Sequence, residues 1–267
     1  MILSLTQCAS AQRSTVPSFV DAFIFFNELE LLEVRLHELA PVVDRFLLVE
    51  STHTFQGKPK PLYFDENKSL FKQYNISHII SQPKIKGDLS KAEAFENEAY
   101  QRDALQYTLR HLDTVMISDV DEIPSREVMK QIRQLPVKIQ QRNSYYYLNM
   151  VSSEPWYGTV VALASDAIRV SPEALRSMRV DPAMPRIAGG WHFSYLGGPE
   201  RIKQKLESFA HVEHNTDEKK DLAYLEGVMK QGVDLFGRDK EYHRIDVDDT
   251  FPHLVRERPE KFSGLTI

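Results

Sequence analysis

The stretch Thr114-Val115-Met116-Ile117-Ser118-Asp119-Val120-Asp121-Glu122-Ile123-Pro124 decides how this chain is read. Four of its first five residues are β-branched or apolar, the pattern of a buried strand. Two carboxylates follow at i and i+2, then a third, then a proline that stops the strand. Open α/β sheets bind ligands at the carboxyl ends of their strands. A close acidic pair there suits a divalent cation, and such a cation can hold a diphosphate. The spelling alone is common, since Asp246-Val247-Asp248 repeats it. The strand context sets the first pair apart.

The residues upstream supply a matching frame. Phe19 to Phe26 reads as a strand. A helix follows from about Glu28 to Leu39, with Leu29, Leu32, Leu36 and Leu39 on one face and Glu30, Glu33, His37 and Glu38 facing away. Asn27 reads as its N-cap and Pro41 as its stop. Arg45 to Val49 is a second strand ending in Glu50-Ser51, and Ile76 to Ile80 a third. Thr52 to Asp65 reads as a loop. Ser90-Lys91-Ala92-Glu93 spells a capping box that opens the longest helix, to about His111. Such alternation implies parallel strands with right-handed crossovers.

Beyond Pro124 the pattern changes. A helix is expected near Ser125 to Gln134, and strands at Ser144 to Met150 and Thr159 to Ala164, forming an antiparallel or mixed extension. Alternate rings of Tyr145 to Tyr147 should be buried. Gly189 to Gly198 reads as an aromatic strand bracketed by glycine pairs. Helices follow at Glu200 to Ala210 and Asp217 to Lys230. The expected fold is α/β, a single domain with an open, mostly parallel central sheet, flanking helices and a smaller mixed β extension. Residues 1–18 form a flexible leader. Residues 19–124 are the alternating half whose strand ends suit a nucleotide, 125–236 the second half, and 237–267 a polar tail on the surface.

Composition bounds the function classes. The chain has 267 residues, 42% hydrophobic and 27% charged, with net charge -5, which argues against a non-specific nucleic-acid binder. One cysteine, Cys8, allows neither an internal disulfide nor a cysteine zinc site. No apolar run reaches membrane-spanning length. The leader is too short and too polar for a signal peptide. No Walker loop, Gly-x-Gly-x-x-Gly, His-Glu-x-x-His or Gly-x-Ser-x-Gly occurs.

Several residues are candidates for chemistry. Arg102 falls on a core-facing stripe with Phe95, Ala99, Gln106 and Leu109, so it needs an acidic or phosphate partner. A structural pair with Asp119 and a contact to a ligand phosphate both satisfy that need. Asn27, Glu28, Glu50 and Ser51 end two strands at the edge where Asp119 lies. Trp191 offers a face to a sugar ring. His192, between the same glycines, is able to bind metal or move a proton.

Taken in order, Asp21 to Leu32, Val49 to Gly57, Asp119 to Pro124 and Gly190 to Ser194 resemble glycosyltransferase family 17, across roughly Asp21 to Leu235. The resemblance implies a GT-A-type enzyme that transfers N-acetylglucosamine from UDP-GlcNAc to a glycan hydroxyl with inversion, of β-1,4-mannosyl-glycoprotein 4-β-N-acetylglucosaminyltransferase type. It implies a divalent metal, manganese or magnesium, on Asp119 and Asp121. It also implies a donor site that draws on Asn27, Glu28, Glu50, Ser51, Arg102, Asp119 and Trp191. Inversion requires a base, and Glu122, Glu154 and His192 are the candidates. The partners are then a UDP-sugar and a glycan, with no nucleic acid. Family relatives are Golgi membrane proteins. An anchor-free form is expected in a bacterial cytoplasm, acting on another glycan. Two other readings stay open: a magnesium phosphohydrolase with Asp119 as nucleophile and Asp248-Asp249 as ligands, and a non-catalytic carbohydrate-binding protein.

Overall fold

The computed structural model of the chain describes residues 16–267. The leader, and Cys8 with it, lies almost wholly outside the described residues. The chain opens with β1 (Phe19–Phe25), α1 (Leu29–Leu39), β2 (Arg45–Ser51), α2 (Tyr63–Asn67), β3 (Ile76–Ser81), α3 (Lys91–Asp103) and β4 (Thr114–Asp119). β5 (Glu122–Ile123), α4 (Arg126–Gln131), β6 (Val137–Tyr145), β7 (Met150–Ser152) and β8 (Val160–Leu163) follow. Then come α5 (Ala164–Val170), α6 (Pro172–Ser177), β9 (Arg186–Ser194), α7 (Gly198–Leu206), α8 (Asp217–Lys220), α9 (Leu222–Gln231), β10 (Tyr242–Arg244) and α10 (His253–Glu257).

One ten-stranded sheet carries the fold, in the order β10-β7-β6-β8-β4-β1-β2-β3, with β9 pairing β5 and β6. β3, β2, β1 and β4 are mutually parallel, as the alternating pattern requires. β8, β6, β7 and β10 extend the sheet in antiparallel fashion, and β9 runs parallel to β6. The mixed extension is therefore present. Register places Ile24 beside Asp119 and Phe25 beside Glu50, so three strand ends reach one edge together.

Four local expectations change. Asn27 does not cap α1: the cap position is Glu28, without a side-chain cap bond, and Asn27 Nδ2 donates instead to Gln204 Oε1 at 2.8 Å. Glu38 does not face solvent. It is buried, accepting the backbone N–H of Arg126 and both the N–H and the ring of His253. Ser144 to Met150 is not one strand but the end of β6, a turn and the start of β7. β6 ends at Tyr145, Tyr146 turns the chain at φ +66°, and adjacent rings Tyr145 and Tyr146 are both buried. β6 itself was hidden because Lys138, Gln140, Gln141 and Arg142 spoil its apolar alternation.

The tail is the fourth. Phe251, Leu254, Val255 and Phe262 pack in one cluster with Leu31 and Val34 of α1, Ile123 and Trp191. α1 is thus covered on two sides. Leu32, Leu36 and Leu39 meet Phe23 and Phe46 of the sheet, while Leu31 and Val34 meet the tail. A helix buried on both flanks shows a wider apolar band than a surface helix, and the polar residues scattered through 237–267 mask their share of it. No helix among the described residues is long and apolar enough to cross a membrane.

Candidate active site

A cavity of about 480 Å³ opens at the carboxyl edge of the sheet. Ile24 to Phe26 and Glu28 line it from the end of β1, His53 to Phe55 from beyond β2, and Asp119 to Glu122 from the end of β4. The opposite wall brings Asn143, Trp156, Arg176, His192, Tyr195 and Lys205. Strand ends expose carbonyls and side chains that the sheet no longer pairs, which is why ligands gather there.

The acidic turn is held from below by Arg35, a side chain buried completely in α1. Its guanidinium pairs with both oxygens of Asp21 at 2.6 and 2.8 Å and lies over the Phe23 ring. Its Nη1 donates to the carbonyl oxygens of Asp119 and Glu122, each at 2.8 Å. Five donors in a planar fork make arginine suited to gathering several acceptors at once.

From above, each Asp119 oxygen accepts a different arginine. Arg102 Nη2 donates to Oδ1 and Arg176 Nη2 to Oδ2, both at 2.8 Å. Burial alone would raise this carboxyl. The charges of Arg176 and Arg102 outweigh it and hold Asp119 well below the usual carboxylate range. Arg102 is buried, also pairs with Glu98 and Glu173, and does not itself line the cavity. Of the two roles open to it, the structural pair is the one formed.

Asp121 stands differently. Lys205 Nζ of α7 lies 3.2 Å from its Oδ2, and His192 Nε2 lies 3.9 Å from the same oxygen. The His192 ring stacks on Trp156 with centroids 4.3 Å apart. Its Nδ1 is 2.9 Å from Asn143 Oδ1. An amide oxygen only accepts, so Nδ1 carries the hydrogen and the Nε2 lone pair faces the cavity. Burial pushes the His192 pKa down, which favours the neutral ring. Burial likewise works against the Lys205 charge, but Asp121 and Glu28 more than restore it.

The other expected residues divide between the cavity wall and positions away from it. Glu122 is buried, bonded to Arg176 at 2.7 Å, to Trp156 Nε1 at 2.8 Å and to the Asp119 N–H at 2.8 Å. Gly158 permits this: a Cβ there would stand 1.9 Å from Glu122 Oε1. Glu154 is exposed, bonded to Lys240, and does not line the cavity. Glu50 and Ser51 sit beneath the floor. Glu50 accepts the backbone N–H groups of Phe64 and Asp65, and Ser51 accepts that of His53. Trp191 is a core residue, 5% exposed, donating from Nε1 to the Thr250 carbonyl. The indole that reaches the cavity is Trp156. Asn27 is turned toward Gln204, whereas Glu28 does line the cavity, and burial raises its carboxyl. Asp248 and Asp249 are exposed and outside the cavity, with Asp248 bonded to Thr250. That leaves the phosphohydrolase reading without its second pair of ligands.

Nothing near the acidic run in the sequence marks Arg35, Trp156, Arg176 or Lys205. Each is brought in by a distant element. Gly190 is the partial exception. Its φ is +100°, and a Cβ there would stand 2.4 Å from the Ile123 carbonyl oxygen. Lacking one, it lets β9 lie against β5, which places His192 beside Glu122. His211 and His214 line the cavity and, with Glu213, form a cluster of metal-ligating groups. Lys91 is 2.6 Å from Glu213 and Lys219 3.0 Å from His214, so ammonium groups stand beside it as Lys205 stands beside Asp121.

The family model described as Glycosyltransferase family 17 matches residues 6–246. The human protein named Beta-1,4-mannosyl-glycoprotein 4-beta-N-acetylglucosaminyltransferase is 26% identical, and its rat counterpart 25%, each over 85% of this chain and 50% of the relative. The chain thus spans about half the length of the curated relatives it matches. Among solved structures, S. aureus TarS is similar with a TM-score of 0.41 at 9% identity, covering 79% of this chain and 72% of that one. The T. maritima inositol-1-phosphate CTP transferase is similar with a TM-score of 0.40 at 10% identity, covering 93% and 97%. With its family model spanning most of the sequence, from before β1 to beyond β10, the chain belongs to glycosyltransferase family 17.

Proposed function

We propose that the chain is a metal-dependent, inverting glycosyltransferase that moves N-acetylglucosamine from UDP-GlcNAc to a glycan hydroxyl. Family membership and the names of the relatives supply the reaction class. The observation that carries the reading at residue level is the pairing of Asp121 with His192. A carboxylate and a neutral imidazole lone pair converge on one point of the cavity wall.

That donor set fits a divalent cation which takes its remaining ligands from phosphate oxygens and water. Manganese suits the mixed oxygen and nitrogen set, and magnesium is the alternative. When bound, the cation offsets charge growing on the departing diphosphate. Asp119, with both oxygens given to arginines, positions the turn in this reading rather than ligating. Lys205 places a further positive charge beside the same carboxylate.

Inversion needs a base in contact with the acceptor hydroxyl. Glu122 is enclosed by its partners and Glu154 lies off the cavity. Glu28 lines the cavity, accepts two N–H groups through Oε2 only, and has a raised carboxyl pKa. We assign it the base role.

Calorimetry of UDP-GlcNAc with and without manganese tests the reading. Metal-dependent binding should fall about 10–100-fold in Asp121→Asn and in His192→Gln. Equal affinity in a folded Asp121→Asn variant would sink the proposal. Glu28→Gln should lose turnover while keeping donor affinity.

A further inference from the structure

Among the described residues six lysine and arginine side chains line the cavity, and five have acidic partners. Lys60 pairs with Glu50, Arg176 with Asp119 and Glu122, Lys205 with Asp121, Arg238 with Asp234, and Lys240 with Glu154. Arg179 is the sixth. Among the described residues its side chain makes no hydrogen bond and no ion pair.

Arg179 is not a loose surface residue. It lies half-buried in the turn Met178–Val180 that follows α6. Lys138 Nζ pins that turn by donating to the carbonyl oxygens of Arg179 at 3.0 Å and Asp181 at 2.6 Å. The nearest charges are mixed. Burial lowers its pKa and the neighbouring Arg176 lowers it further, while Glu122 and Asp119 act in the opposite sense. Those two carboxylates are already bonded to Arg176 and Arg102. A guanidinium half-withdrawn from water beside a second guanidinium gains when an anion joins it. Its fork matches phosphate or carboxylate with two parallel bonds.

We propose that Arg179 is the anion receptor of this cavity, taking two oxygens of a ligand's phosphate or carboxylate group. The inference rests on the cavity being the nucleotide-sugar site. The anion comes from one of two sources, the donor diphosphate or an acidic group on the acceptor saccharide. Arg179 follows α6, which packs against β4, and lines the same cavity as the β1 end and as Trp156 and Tyr242 of the antiparallel half, so either source is within that cavity.

Calorimetry with UDP, uridine, inorganic pyrophosphate and glucuronate, on wild type, Arg179→Met and Arg179→Lys, decides it. If the donor supplies the anion, Arg179→Met weakens UDP and pyrophosphate at least 10-fold and leaves uridine unchanged. If the acceptor supplies it, UDP and pyrophosphate are unchanged and glucuronate binding is lost. In either case Arg179→Lys recovers part of the loss, because charge returns without the fork. Unchanged binding of all three anions in an Arg179→Met variant with wild-type Tm overturns the proposal. Failure of the donor reading looks different: wild type itself would not bind UDP, and the pyrophosphate arm would still report on Arg179.

Discussion

Arg35 Nη1 donates to the carbonyl oxygen of Asp119 at 2.8 Å, so a helix buried beneath the sheet edge holds the acidic turn by its backbone. The same guanidinium neutralises Asp21, which is also fully buried. Arg35→Met leaves Asp21 without its partner and three carbonyls of the turn without a donor. We expect a loss of about 3–5 kcal/mol in urea unfolding. Arg35→Lys keeps the charge but not the fork and should fall between. A loss under about 1 kcal/mol in Arg35→Met would show that the turn does not depend on this contact.

Gly158 gives a prediction confined to the site. A methyl group there meets Glu122 Oε1 at 1.9 Å and Trp156 Nε1 at 2.4 Å. Glu122 cannot yield easily, because Arg176 and the Asp119 N–H grip it. Gly158→Ala should therefore push Trp156 off the His192 ring. The readouts are tryptophan fluorescence, expected to shift, and turnover, expected to drop at least 10-fold with a modest fall in Tm.

Phe262 tests whether the tail belongs to the core. It is 1% exposed and packs with Val34, Phe251 and Val255. Phe262→Ala should cost about 3–5 kcal/mol, the usual range for a buried phenylalanine. A surface strap would lose less than about 1 kcal/mol on the same substitution, and chemical denaturation separates the two.

Asp113 sets an acid-side dependence of stability. It accepts from the Ser18 N–H, from Arg45 and from Arg110. Burial alone would raise its carboxyl, but Arg110, the Ser18 amide and Arg45 outweigh it and leave the pKa below its ordinary value. A depressed folded pKa contributes stability above the unfolded value and loses it as pH falls through the folded one. Asp113→Asn should be less stable than wild type by about 1–3 kcal/mol at pH 7. The gap should close as pH drops below about 4. A gap that stays constant from pH 7 to pH 3 would remove the carboxylate from the account.

What the sequence showed follows from the range of each signal. The parallel half was legible because its cues are local: the β4 run, the leucine stripe of α1, and the Ser90 capping box, which forms as written. Asp119, Asp121 and Glu28 reached the cavity because strand register put their ends together. Trp191 did not, since a strand residue's face depends on what packs against it, and here Phe251 and Thr250 from the tail cover it. Its neighbour His192 points the other way, as alternation in a strand requires. Glu38 and the tail depart from their sequence pattern for one reason. Polar spacing suggests solvent, but two segments far apart in sequence bury each other. Lys205, Arg176 and Arg179 carry no local mark, because a basic residue on a short helix or turn looks the same whether it meets solvent or a cavity.

The grip on the Asp119 turn has an electrical consequence. Arg35 fixes its carbonyl dipoles from beneath, and Arg102 and Arg176 fix its carboxylate from above. Loose dipoles re-orient as a bond breaks, and that re-orientation adds to the barrier. Here the orientation is set when the protein folds, so the field at the cavity floor is already in place before any ligand's charge begins to shift.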